Sequence, residues 1–286
     1  MFENQTITFI GPGVMAEAMI AGMIREGVAP GEALRVSGPR PRRGEYLHQK
    51  FGLSTFADNA EAASDADIVV LAIKPQSLDA VLRDLKGKLK PDALVLSIIA
   101  GAPIGKISQG LGHSLIVRSM PNTPAQIGKG ITVWTAAPEV SEAQKGMARQ
   151  ILAALGQDIF MGEEKFLDMA TALSGTGPAY VFLFMEAMVD AGVHLGFPRR
   201  VAEQLVIETV RGSAEFYVNT AETQPLHLAG LRNQVTSPGG TTAAALYFLE
   251  KAGFRTAISR AIWAAYERSR ELGKDAEAHL REPEAG

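Results

Sequence analysis

Over the first 160 residues, apolar positions fall into short runs separated by longer stretches of a different rhythm. The runs are TITFI (6–10), ALRVS (33–37), DIVVLAI (67–73), ALVLSII (93–99), SLIVRS (114–119), ITVWTA (131–136) and DIFM (158–161). Short, mostly Val- and Ile-rich runs of this kind predict strands. Between most of them apolar residues recur at helical spacing, as in VMAEAMIAGMIREG (14–27) and EAQKGMARQILAALG (142–156). Strand then helix, repeated, predicts an α/β fold: a doubly wound parallel sheet of Rossmann type with helices on both faces. From about residue 164 the strands stop. AYVFLFMEAMVDAGVHLG (179–196) is apolar on most faces and predicts a buried helix. Residues 199–218, 241–253 and 255–272 keep the helical period, with the switch at GEEKF (162–166). The expected domains are an α/β domain over 1–162 and an all-helical domain over 163–274. A polar, disordered tail is expected over 275–286.

Composition narrows the classes. A net charge of -3 over 286 residues implies no basic face for nucleic acid. Charged residues interrupt every apolar run, so no membrane span is expected. The start, MFENQTITFIGPG, lacks the basic region of a secretion signal. The chain has no cysteine, which excludes disulfides, thiolate metal sites and a cysteine nucleophile, and fits a reducing cytoplasm. The five histidines, His48, His113, His194, His227 and His279, are scattered without metal-ligand spacing, so no metal site is expected.

The first chemical signal is GPGVMA, Gly11 to Ala16, between the first strand and the first helix. Gly11 permits a tight turn, Gly13 lets the backbone approach a pyrophosphate, and Ala16 is small enough for helix to pack on strand. The helix start, with Val14 and Met15, offers free N–H groups and the positive dipole end to phosphates. A dinucleotide is the expected ligand. An NAD-preferring site carries Asp or Glu at the end of the second strand. Here that strand ends at Ser37, followed by Arg40, Arg42 and Arg43. A hydroxyl and guanidinium groups suit a 2′-phosphate, so NADPH is the expected cofactor, with NADH tolerated. A solvated basic loop is the other reading. Ligands in such folds bind at the carboxyl ends of the strands. That places Ala72, Lys74 and Pro75, in LAIKPQ, and Ala100 and Gly101, in SIIAGAP, in the cofactor set. Lys74 reads equally as a surface lysine. Asn59 reads either as a helix cap or as a ribose contact.

Three later stretches, MPNTPA (120–125), ALSGTGPAYVFLFMEAMVDAG (172–192) and VTSPGGTTAAALYFLE (235–250), follow the glycine motif in order. Together they resemble the pyrroline-5-carboxylate reductase family, from Ile7 to about Leu272. One departure is the sequence after the second glycine, where relatives carry an Asn and a Gly; Ala16 is still small. The resemblance implies NAD(P)H-dependent reduction of a cyclic imine carboxylate to proline. It also implies an obligate dimer through the helical domain, often built into rings, and Asn122 joins the cofactor residues.

In this light SPGGTT reads as a substrate site. Free N–H groups of Gly240, Thr241 and Thr242 at a helix start would bind the carboxylate without a lysine. By resemblance Thr242 hydrogen-bonds the ring nitrogen and is the catalytic candidate, with Ser237 assisting. Plain N-capping by Ser237 or Thr241 is the alternative. Gly175, Gly177 and Pro178 suit a helix break and restart, and Glu186 and Asp190 read as buried acids that pair with arginines across an interface, with proton handling as the other reading. Rival functions are another imine or β-hydroxyacid oxidoreductase of the same plan, or a non-catalytic dinucleotide sensor. The hydroxyacid enzymes need a lysine in the long helix, which 179–192 lacks.

Overall fold

The computed structural model describes residues 2, 5–223 and 227–278. In its first part the strands are β1 (Ile7–Ile10), β2 (Leu34–Ser37), β3 (Ser54–Phe56), β4 (Ile68–Leu71), β5 (Leu94–Ser97), β6 (Ile116–Met120), β7 (Gly130–Ala136) and β8 (Gly156–Phe160). Helices α1 (Val14–Arg25), α2 (Pro41–Phe51), α3 (Asn59–Ala63), α4 (Leu78–Leu85), α5 (Ile104–Leu111) and α6 (Glu142–Ala153) connect them. They form one sheet in the order β3-β2-β1-β4-β5-β6-β7-β8. The expected parallel sheet needs one amendment: β7 runs antiparallel to β6, so the sheet is mixed at that end. One strand, β3, was not expected. Its three residues, Ser-Thr-Phe, are largely exposed at the sheet edge and carry no apolar run to betray them.

Alternation along the strands divides the core between the two faces of the sheet. Ile7, Phe9, Ile68, Val70, Leu94 and Leu96 pack with Ala16, Met19, Ile20 and Met23 of α1 and with Ile151 and Leu152 of α6. Their neighbours Ile10, Val69, Leu71 and Val95 pack with Leu78, Leu82 and Leu85 of α4 and Ile107 of α5. Strands buried on both faces read as continuous apolar runs because both sets are apolar.

The helical part comprises α7 (Lys165–Ala170), α8 (Gly177–His194), α9 (Arg199–Thr223), α10 (Leu228–Gln234), α11 (Thr241–Lys251) and α12 (Phe254–Ala278). A π-helical turn, Thr171–Gly175, separates α7 from α8. The helices begin where the strand pattern ended, but the compact units divide elsewhere. One unit runs to Pro178 and resumes at Ala264; the other is Ala179–Trp263. Residues 275–278, expected in the tail, continue α12. Residues 279–286, His279 included, lie outside the described residues.

Three expectations about α8 change. Its apolar surface is not buried within the chain: Phe182 and Leu183 are 63% and 68% exposed. The buried core of the second unit is Val189, Ala202 and Val206, too little to cover four helices' apolar faces. Lys165–His194 is long and apolar enough to cross a membrane by length and composition, contrary to the expectation from its interrupting charges. Glu186 and Asp190 are exposed rather than buried, and Asp190 accepts from Arg199 of the same chain at 2.9 Å.

Candidate functional site

Strand order reverses between β1 and β4, which opens a crevice at their carboxyl ends. The loops after these two strands meet there. Gly11 has φ +96°, and a Cβ on it would lie 2.8 Å from the Ala72 carbonyl oxygen and 2.7 Å from Ile73 Cγ2. Only glycine fits. A Cβ on Gly13 would meet nothing closer than the Ala72 oxygen at 3.8 Å, so Gly13 leaves open space. Gly13 is also the N-cap of α1, and no side chain caps that helix. The N–H groups at its start, Val14 and Met15 included, therefore face the crevice side unclaimed, and Ala16 is fully buried beneath them. This cradle fits a pyrophosphate.

The end of β2 differs from the expectation. Ser37 is fully buried, and its hydroxyl donates to Asn59 Oδ1 at 2.8 Å. It orients Asn59 rather than facing solvent. Asn59 is not a cap, because Asp58 caps α3 by accepting from the Glu61 N–H. Asn59 Nδ2 donates to Asp84 at 3.2 Å, which leaves one N–H for a ligand. The three arginines also separate. Arg40 and Arg42 are exposed and in no ion pair among the described residues. Arg43 is turned back onto the glycine loop: its Nε donates to the Pro12 carbonyl at 2.8 Å, and Nη2 pairs with Glu17. Lys50 and Tyr46 also bond Glu17. Burial raises the Glu17 pKa, but these hydrogen bonds and the Arg43 charge outweigh it and hold the carboxyl below its ordinary range.

Lys74 is exposed at the end of the β4 loop, beside Pro75. Ala100 is half-buried. Gly101 is covered by the chain itself, since a Cβ on it would lie 2.7 Å from Leu272 Cβ of α12. The small residue at 101 makes room for a helix, which corrects the expectation that it makes room for a ring. The Asn122 side chain ties the start of β7 to the π-helical turn. Its Nδ2 donates to the Ser174 carbonyl at 3.2 Å, and its Oδ1 accepts from the Ile131 N–H at 3.0 Å.

A buried polar cluster escaped the sequence reading. Arg118 on β6 is 3% exposed and donates to Glu164 at 2.8 Å and to Asp168 at 3.0 Å. Glu164 also accepts from the Ile104 N–H, and Asp168 from the Ser269 hydroxyl of α12. This cluster and the Gly101 contact tie the stretch of α12 from Ala264 onward into the first unit. Among the described histidines, His48 and His113 bond backbone carbonyls, His227 caps α10, and His194 is exposed on α8. No metal-competent cluster occurs among the described residues.

In the second unit, Ser237 to Gly240 turn into α11. Gly239 has φ +69°, and a Cβ on Gly240 would strike Ser237 Oγ at 2.4 Å. The Gly240 N–H is not free as expected: it donates to the Ser237 carbonyl at 3.1 Å and closes the turn. Gly240 is the N-cap of α11 and no side chain caps it, so neither Ser237 nor Thr241 serves that role. The Thr241 and Thr242 N–H groups begin the helix unclaimed, with Thr242 half-buried and Ser237 exposed.

Fold and cradle define a dinucleotide-binding α/β protein with a helical second part. A family model described as NADP oxidoreductase, coenzyme F420-dependent, matches residues 6–101. A second, pyrroline-5-carboxylate reductase dimerisation, matches 164–272. The pyrroline-5-carboxylate reductase of Synechocystis sp. is 44% identical, covering 93% of this chain and 97% of the relative. That of Pseudomonas aeruginosa is 41% identical over 94% and 97%. The crystal structure of Plasmodium falciparum pyrroline carboxylate reductase with NADP bound superposes with a TM-score of 0.85 at 34% identity, covering 95% of this chain and 99% of that one. The chain belongs to the pyrroline-5-carboxylate reductase family.

Proposed function

We propose that this chain reduces Δ1-pyrroline-5-carboxylate to L-proline, the last step of proline biosynthesis, with NAD(P)H as cofactor. The observation that carries the reading is the uncapped start of α11 beside Thr242. Two unclaimed N–H groups and the helix dipole suit a carboxylate, and a hydroxyl suits the ring nitrogen. The cofactor supplies the hydride when bound. The imine nitrogen is basic enough to be bound protonated, so the reaction asks the chain for aim rather than for a strong acid. Thr241 and Thr242 N–H groups fix the carboxylate, with Ser237 at the rim. Thr242 Oγ1 accepts from the protonated nitrogen and sets the face of the ring. Gly11, Gly13, Val14 and Met15 hold the pyrophosphate. Ala72, Lys74, Pro75, Ala100 and Asn122 line the rest of the cofactor path, and Asn59 offers its remaining N–H to the ribose. The test is oxidation of NADPH on adding Δ1-pyrroline-5-carboxylate; no oxidation removes the reading.

NADPH is the preferred cofactor on this reading, with NADH tolerated, because Arg40 and Arg42 are free guanidinium groups beyond β2. Arg40→Ala with Arg42→Ala raises the KM for NADPH about tenfold or more and leaves that for NADH nearly unchanged, a lost charge-assisted contact being worth about 1.5–3 kcal/mol. Equal effects on both cofactors in steady-state kinetics would make this loop a solvated surface.

The working domains on this reading are 1–162 for the cofactor and 163–274 for substrate and self-association. The chain works as a homodimer, or a ring of dimers, in the cytoplasm, with no membrane or nucleic acid partner. The exposed apolar faces of α8, α9 and α11 support it, and the dimer should bury more than about 2,000 Å². Sedimentation at micromolar concentration should show no monomer; an active monomer would contradict it.

A further inference from the structure

We propose that Arg43 is a positioning residue for the pyrophosphate cradle rather than a ligand of the 2′-phosphate, and that it serves NADH and NADPH alike. The inference rests on the dinucleotide reading above and concerns the role of one side chain within it. Its guanidinium makes contacts that a solvated arginine would not make. Nε donates to the Pro12 carbonyl at 2.8 Å, and Nη2 reaches the Gly13 carbonyl at 3.4 Å as well as Glu17. The plane of the group also lies near the Tyr46 ring, with Cζ 5.1 Å from its centroid.

Two consequences follow from peptide geometry and charge. A trans peptide points its C=O and N–H in opposite directions. The Gly13 carbonyl accepts from Arg43 and from the Glu17 N–H at 3.0 Å, so the N–H of the same peptide, that of Val14, is aimed the other way. It becomes a fixed and more polarised donor at the start of α1. The second consequence concerns Glu17. A carboxylate in the first turn of a phosphate-binding helix repels the phosphates it lies near. Arg43 and Lys50 both pair with Glu17, and these contacts hold its carboxyl below its ordinary range against the opposing effect of burial. Arg43 thus braces the cradle and cancels the nearest negative charge. Neither effect depends on a 2′-phosphate.

The test is direct binding of NADH, NADPH and adenosine 2′,5′-bisphosphate, without substrate, by calorimetry on the full chain. Arg43→Ala should weaken NADH and NADPH by the same factor, about ten- to a hundredfold. Adding Glu17→Gln should restore part of the loss for both, which a merely structural role for Arg43 would not produce. Arg43→Lys should behave as an intermediate, keeping charge but losing the forked geometry. Thermal unfolding of each variant, read alongside, shows whether the fold is intact. Loss confined to NADPH and the bisphosphate would make Arg43 a 2′-phosphate ligand and overturn the proposal. So would unchanged NADH binding, or no rescue by Glu17→Gln. If the unsubstituted chain binds no dinucleotide, the reading of the site itself fails, and that outcome is distinct from each of these.

Discussion

Thr242→Val slows hydride transfer about ten- to a hundredfold while lowering substrate affinity only modestly. Elsewhere in these helices hydroxyls are satisfied one turn back: Thr209 donates to the Leu205 carbonyl and Ser213 to that of Thr209. Thr242 is the second residue of α11, so the residue four back, Pro238, lies in the turn and offers no helical carbonyl. Its hydroxyl makes no hydrogen bond among the described residues and is left for a ligand. Valine keeps the shape and both backbone donors, so the carboxylate stays held. The ring loses the contact that aims its nitrogen, and a hydrogen bond to a charged group is worth about 1.5–3 kcal/mol. Single-turnover rates check this. Transfer at the unsubstituted rate would mean that the hydroxyl plays no part in the step. Gly240→Pro damages the site by another route. The Gly240 N–H closes the turn onto Ser237, and the added Cβ strikes Ser237 Oγ, so binding of substrate should suffer most.

Arg118→Leu destabilises the fold by about 2–4 kcal/mol. Removing one member of a buried ion pair costs about 3–5 kcal/mol, and the partial exposure of Glu164 (33%) and Asp168 (22%) lowers the figure. Glu164 and Asp168 are left without their shared cation, and Asp168, which accepts from Ser269 of α12, loses the guanidinium that fixes it. The urea midpoint, taken at one protein concentration because self-association stabilises the fold, checks it. An unchanged midpoint would show that water serves this cluster as well as arginine does.

Much of the fold could be read along the chain because strands sandwiched between helical layers are apolar on both faces. Ile7 and Phe9 face one layer and Thr8 and Ile10 the other, and such runs stand out. The glycine cradle was equally legible, since Gly11 answers a backbone demand that no other residue meets. What was hidden depends on distance in space. Arg40, Arg42 and Arg43 are alike in sequence, and only the approach of Pro12 sets the third apart. Ser37 looks like an exposed strand end until Asn59 closes over it. The return of α12 leaves no periodic mark, because Ser269, Leu272 and Gly273 look like any helix surface until Gly101 and Asp168 meet them. The exposure of α8 was hidden as well, because an apolar helix announces burial but not whether its own chain supplies the cover.

On the proposed function, this chain delivers hydride from a nicotinamide to the imine carbon of pyrroline-5-carboxylate. The most direct test of that function uses NADPH deuterated at the transferring position, the purified chain and Δ1-pyrroline-5-carboxylate, with the product examined by mass spectrometry and NMR. The expected product is L-proline carrying one deuterium on the ring carbon next to nitrogen that does not bear the carboxylate. Proline without deuterium, deuterium elsewhere, or no proline at all would contradict that function.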